Sequence, residues 1–176
     1  MSRHSGRLVA ITGGSSGIGQ AMVLRLARDG ARVAILDVGD TTETVELVRR
    51  EGGIATGFKC DIGNWEQVTA TADAVRAQLG DPQILIHCAA MQFVRAFDDV
   101  SPQDWHAMHQ VNVDGCFYFI KSFLPAMRKA KWGRIVMVAS SSYFAPPPRG
   151  MTLYISTKGA LLGFVRGLAG EVGADG

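Results

Sequence analysis

The chain has 176 residues, enough for one domain with its own core. Apolar residues make up 47% and charged residues 19%, a globular balance that excludes an intrinsically disordered chain. With 18 basic against 16 acidic residues and no basic stripe, neither nucleic acid nor an anionic membrane is an expected partner.

Met1 to Arg7 are polar, and the apolar run after them, residues 8–11, is too short for a signal sequence or a membrane span. That run reads as a first strand. The turn Thr12-Gly13-Gly14-Ser15-Ser16-Gly17-Ile18-Gly19 leads from it into a helix over Gly17–Arg28, with an expected apolar stripe through Ile18, Met22 and Leu26. A second strand is expected over residues 32–36, then a helix over Thr42–Arg50 ended by Gly52-Gly53. A third strand covers Ile54–Lys59, and a helix over Trp65–Leu79 closes at Gly80-Asp81-Pro82. After a fourth strand at residues 84–86, a long helix is expected over residues 102–129, with Ser101 as cap, Pro102 in its first position and a kink at Pro125. The basic run Arg128-Lys129-Ala130-Lys131 falls where that helix should end, where cations complement its dipole. Residues 134–139 form the fifth strand, Pro146-Pro147-Pro148 a stiff loop, and residues 151–172 the last helix. Apolar strands alternating with helices indicate an α/β fold: a doubly wound parallel sheet, Rossmann-like, buried on both faces. Residues 1–176 are expected to be one dinucleotide-binding and catalytic domain. Cys60, Cys88 and Cys116 stand far apart, which suits reduced thiols in a cytoplasmic protein.

Glycines between a first strand and a first helix let the backbone turn tightly and let a pyrophosphate approach the amides, in the positive field of the helix N-terminus. Gly13, Ser15, Ser16, Gly17, Ile18 and Gly19 are therefore candidate cofactor contacts. The spacing Gly-x-x-x-Gly-x-Gly differs from the Gly-x-Gly-x-x-Gly fingerprint. Asp37, at the end of the second strand, can accept hydrogen bonds from an adenosine ribose and repels a 2′-phosphate. No Arg or Lys stands in the glycine turn or immediately after Asp37, which favours NAD over NADP; a simple turn role for Asp37 is the alternative. Asp61, after the third strand, serves either the adenine or its own turn.

Tyr154 and Lys158 are one helical turn apart, hence on one face. An ammonium beside a phenol favours the phenolate, as a general acid/base for an alcohol or ketone requires. Ser140, at the end of the fifth strand, can hold a substrate oxygen, with Ser141 as the alternative. Asn112 interrupts an apolar stretch of the long helix and needs a hydrogen-bond partner in backbone or water. His106 and His109 share a helix face but have no third ligand nearby, so no metal site is expected. Trp65 and Trp105 are expected to pack their helices onto the sheet, and Trp132 to close the lower edge. Met91-Gln92-Phe93-Val94, with Tyr143, Phe144 and Leu153, would form an apolar wall beside the nicotinamide.

Thr12-Gly13 to Gly17-Ile18-Gly19, Cys60-Asp61, Val111-Asn112-Val113, Gly133-Arg134-Ile135-Val136 and Tyr154-Ile155-Ser156-Thr157-Lys158 together resemble the short-chain dehydrogenase/reductase family, from about Gly6 to Gly176. The resemblance implies roles. Tyr154 would be the proton donor or acceptor, Lys158 would hold the nicotinamide ribose, Ser140 the reacting oxygen, and Asn112 a water that relays protons. Asp61 with Ile62, and Cys88, Ala89 and Ala90, would contact the cofactor. A secondary alcohol or its ketone is the implied substrate, with an aryl or cyclic substituent suggested by the aromatics after Ser142; a sugar, a steroid or an acyl thioester would fit the same residues. A homo-oligomer is also implied, with Phe117, Phe119, Phe123, Leu161 and Phe164 offering apolar surface.

Two departures stand out. Where the family usually has Asn-Asn-Ala-Gly, this chain has His87-Cys88-Ala89-Ala90, and His87 is expected to pack beside the cofactor rather than to act in the chemistry. The family's last third, with its edge strands, substrate loop and one subunit interface, has no counterpart here, so the sequence is expected to be a fragment of a longer protein, with a naturally shortened member as the alternative. A dinucleotide-binding module without catalysis is the alternative function.

Overall fold

The structure is a computed structural model that describes residues 3–144 and 148–176. Pro146 and Pro147, and with them most of the expected proline loop, lie outside the described residues. Strands β1 (Leu8–Thr12), β2 (Arg32–Asp37), β3 (Ile54–Lys59), β4 (Ile84–His87) and β5 (Arg134–Met137) form one parallel sheet in the order β3-β2-β1-β4-β5. Between them run α1 (Gly17–Arg28), α2 (Thr42–Arg50), α3 (Trp65–Leu79), α4 (Pro102–His109) and α5 (Gly115–Ala130), and α6 (Thr152–Val172) follows β5. The order reverses at β1, which pairs with β2 on one side and β4 on the other. In such sheets the crevice for a ligand opens at the carboxyl ends of the strands beside this reversal.

Burial follows from that order. All five residues of β1 are buried, as are those of β4 and all but the ends of β2. The outer strands differ from the expectation of strands covered on both faces. In β3 only Phe58 is buried, and in β5 Arg134 and Val136 are exposed while Ile135 and Met137 are half-buried. Beside β5, the facing sides of α5 and α6 leave an apolar groove of about 250 Å³ lined by Leu124, Met127, Ile135, Val165 and Leu168.

Three helix expectations need correction. The buried stripe of α1 runs through Gly19, Val23 and Ala27, one residue away from the expected one, and Ile18 is 63% exposed. The cause is local: Gly19 must lie against the carbonyl of Gly13, so the helix rotates that face inward. The long helix is not uniform. Between α4 and α5, Gln110–Asp114 form a π-helical turn, while Pro125 sits inside α5. Trp65 and Trp105 do not pack onto the sheet: both are over a third exposed, Trp65 edge-on to Tyr118 and Trp105 stacked on His109. Ser101 and Asp104 do form a reciprocal cap at the start of α4. Among the described residues no helix is long and apolar enough to cross a membrane.

Candidate active site

The turn after β1 is shaped by close backbone contacts. Gly13 has φ +73°, and a Cβ on it would lie 2.6 Å from the amide nitrogen of Ala89. A Cβ on Gly19 would overlap the carbonyl oxygen of Gly13. Gly17 has φ +54°, and a Cβ there would meet nothing, so the turn is closed below and open above. Ser16 caps α1 with no side-chain hydrogen bond, and the first turn holds no acidic residue. Its amides and their partial positive charge are thus left for an anion. The main chain of Ser15 is held from two sides: its N–H donates to Asp37 Oδ2 at 2.9 Å, and its carbonyl accepts from Thr44 Oγ1 at 3.2 Å. Asp37 Oδ1 also accepts from the Gly39 amide. The carboxylate therefore does serve the turn, and it also stands in the cleft wall. Asp61 likewise lines the cleft while its Oδ1 accepts from Gly63 N–H.

The opposite wall starts where β4 meets β1. Thr12 and His87 are register partners, and both are fully buried. Thr12 Oγ1 accepts from the amides of Cys88 and Ala89 at 3.2 Å each and lies 3.0 Å from His87 Nδ1. Burial, and then the nearby Lys158 charge, push His87 down to about 4, with the main chain of Asn112 acting the other way. The imidazole is therefore neutral near pH 7. Burial also pushes the Cys88 thiol up.

The third side comes from α6. Lys158 is buried and donates to the carbonyl of Val138 at 2.7 Å; the Val138 amide in turn donates to the carbonyl of His87. Burial holds this lysine below its ordinary range, with Cys88 and Cys116 opposing. Its Nζ lies 5.6 Å from the centre of the Tyr154 ring, so the two side chains share one face as the spacing requires. The π turn carries Asn112, whose amide is wholly buried. Its Oδ1 accepts from Met91 N–H, and its Nδ2 donates to Met91 O and to Thr157 Oγ1, which itself donates to Tyr154 O. π turns of this kind often stand at functional sites.

These walls enclose a cleft of about 750 Å³. It gathers Gly13, Ser15, Ser16, Gly17, Ile18, Gly19, Asp37, Asp61, Ile62, Cys88, Ala89, Ala90, Ser140, Ser141, Tyr154 and Lys158. Asn112 is the one expected site residue outside the lining, because its side chain is turned inward onto Met91 and Thr157. Ser140 Oγ lies 2.6 Å from Ser142 Oγ and accepts from the Ser142 amide, while Ser141 is exposed. The expected apolar wall is only partly present. Met91 lines the cleft, but Leu153 is buried in the core and Phe144 is 78% exposed. Val38 and Ala139 also line the cleft and were not anticipated, Val111 was singled out only as a motif residue and not as lining, and the bracing by Thr44 and Thr157 was not anticipated either. The lining valines sit beside motif residues, a signal that adjacency alone supplies.

The sequence profile of the family described as short chain dehydrogenase matches residues 7–176. The chain belongs to that family. It is 34% identical over 172 residues to the "Probable galactose dehydrogenase GalD" of Rhizobium meliloti, covering 96% of this chain and 67% of the relative. It is 32% identical to the 3-oxoacyl-[acyl-carrier-protein] reductase FabG of Pseudomonas aeruginosa, covering 96% and 69%. The fold superposes on an NAD+-bound xylitol dehydrogenase with a TM-score of 0.90 at 29% identity, covering 98% of this chain and 67% of that one. The chain thus spans about two thirds of the length of these short-chain dehydrogenases.

Proposed function

We propose that residues 1–176 are the dinucleotide-binding and catalytic unit of an NAD-dependent oxidoreductase acting on a secondary alcohol or its ketone. The observation that carries this is the meeting, in one cleft, of the glycine turn and the Tyr154–Lys158 pair. Fit to the cofactor rests on the same cleft: a turn open above Gly17, uncapped amides at the start of α1, and Asp37 and Asp61 in the lining. Lys158 is the one cation lining it among the described residues. A carboxylate in the cleft wall, with no arginine or lysine in the glycine turn, disfavours a 2′-phosphate, which supports NAD over NADP.

A bound nicotinamide would accept or supply the hydride. Tyr154 passes a proton between its hydroxyl and the substrate oxygen, with the positive charge of Lys158 beside its ring. Ser140 holds that oxygen, with Ser141 as the neighbouring candidate. Asn112 serves by bracing Met91 on one wall and Thr157 on the other. Gly13, Ser15, Ser16, Gly17, Ile18 and Gly19 contact the phosphates, and Ile62, Cys88, Ala89 and Ala90 the rest of the dinucleotide. The protein works in the cytoplasm as a homo-oligomer. Phe119, Phe123 and Leu161 are buried in the core and cannot supply that interface, whereas Trp105 and Phe117 expose apolar surface. Light scattering at the mass of a single chain would count against assembly.

Tyr154→Phe should lower turnover of a secondary alcohol by at least about a thousandfold while the Kd for NAD+ stays within about twofold. A variant that turns over at the wild-type rate sinks the assigned role. NAD+ binding by the wild type with no turnover across a panel of alcohols and ketones favours a binding module instead.

A further inference from the structure

His87 is a buried titratable group that the proposed chemistry leaves idle, and its surroundings determine where its proton sits. A hydroxyl oxygen has two acceptor lone pairs and one proton. The amides of Cys88 and Ala89 can only donate, and both point at Thr12 Oγ1. They take both lone pairs, so the hydroxyl proton must go to His87 Nδ1. Nδ1 is then an acceptor, and the imidazole proton is on Nε2, a buried atom with no well-formed hydrogen bond among the described residues and only a weak main-chain interaction with Asn112.

We propose that His87 is a positioning residue for the dinucleotide cradle: by accepting the Thr12 proton it aims the Thr12 oxygen at the Cys88 and Ala89 amides and so fixes the wall against Gly13. The wall has little slack, since a Cβ on Gly13 would already sit 2.6 Å from Ala89 N and 2.7 Å from Ala89 Cα. If Nδ1 instead carried the proton, the Thr12 oxygen would face three donors with two lone pairs, and one amide would be displaced. The ring is neutral near pH 7, as this arrangement requires. Among the described residues the one charged side chain acting on the ring is the Lys158 ammonium of α6, since burial keeps Cys88 and Cys116 as neutral thiols. His87 touches the cradle through Thr12, and the proposal rests on reading the cleft as a dinucleotide site.

Imidazole nitrogen NMR on the wild-type chain near pH 7 should show the Nε2–H tautomer, and hydrogen exchange should show protected Cys88 and Ala89 amides. In His87→Phe, which keeps a ring but loses the acceptor, both amides should exchange at least about tenfold faster. NAD+ should bind about tenfold more weakly by calorimetry. His87→Asn offers a carbonyl to the same hydroxyl and should recover most of both losses, which a purely space-filling role would not predict. An Nδ1–H tautomer in the wild type, or unchanged amide exchange in His87→Phe, overturns the proposal without needing any ligand. A wild type with the expected tautomer and protected amides that takes up no NAD+ overturns the dinucleotide reading and this assignment to a cradle together. NAD+ bound equally well by His87→Phe overturns the assignment alone.

Discussion

The two walls of the cleft are made of different material. On the side of β1 and α1 the main chain does the shaping: Gly13 and Gly19 approach neighbouring backbone so closely that no side chain fits, and Ser15 is held by its own amide and carbonyl. On the side of α6 and the π turn, side chains do it: Lys158 reaches Val138, and Asn112 ties Met91 to Thr157. A wall of backbone fails by overlap, whereas a wall of side chains fails by leaving buried groups unpaired. The first failure is steeper, because atoms cannot interpenetrate, while an orphaned polar group can relax or take up water.

Gly19→Ala should therefore have the largest effect. Its Cβ falls on the Gly13 carbonyl at a fully packed point, and a loss on the order of 4 kcal/mol, with no measurable NAD+ binding, is expected from urea unfolding and calorimetry. Gly17→Ala is the control two residues away in the same turn. Its Cβ meets nothing, so only the positive φ is penalised, at about 1 kcal/mol. Equal costs at the two positions would mean that backbone contact does not shape this wall.

The join between the walls should show itself through acid. The folded-state value of His87 is depressed from 6.5 to about 4, so the unfolded chain binds the proton first. Stability is then full above pH 6.5 and falls as the pH drops toward 4, by roughly 3 kcal/mol over that window. His87→Asn has no such group. The difference in unfolding free energy between it and the wild type should shift by that amount in favour of the variant between pH 7 and 4, with the carboxylates cancelling. A constant difference across the range would show that the imidazole is not buried neutral.

The contrast also explains what could be read before any coordinates were known. The sheet, its parallel sense and most element ends follow from local apolar runs and their punctuation by Gly and Pro. The glycine turn announces itself because backbone constraint is written as residue type. The side-chain wall is less legible. Asn112 stands out as a polar residue in an apolar helix, yet its partners lie 21 and 45 residues away, and nothing local predicts the π turn that aims it. Ile18 and Trp105 mislead for the related reason that apolar character does not say which side of a helix faces in. Thr44 and Thr157, both fully buried, carry no local sign of their roles, because Thr44 meets the Ser15 carbonyl 29 residues away and Thr157 meets the Asn112 side chain 45 residues away.

Asn112→Ala should cost less than Gly19→Ala or the acid step, and it tests the side-chain wall most directly. It removes one acceptor and two donors, and it leaves Met91 N–H, Met91 O and Thr157 Oγ1 short of a partner; about 2 kcal/mol of stability should go. Thr157→Val keeps the branched shape but removes the hydroxyl that Asn112 meets. If the wall works as a connected network, the double variant should lose less than the two single losses added together, by on the order of 1 kcal/mol. Turnover should fall in both single variants, with kcat affected more than the Kd for NAD+, because Thr157 donates to the carbonyl of Tyr154 while the glycine turn is untouched. Strict additivity would mean that each residue supports only its own contacts, and that the alignment of α6 against the cradle depends on packing alone.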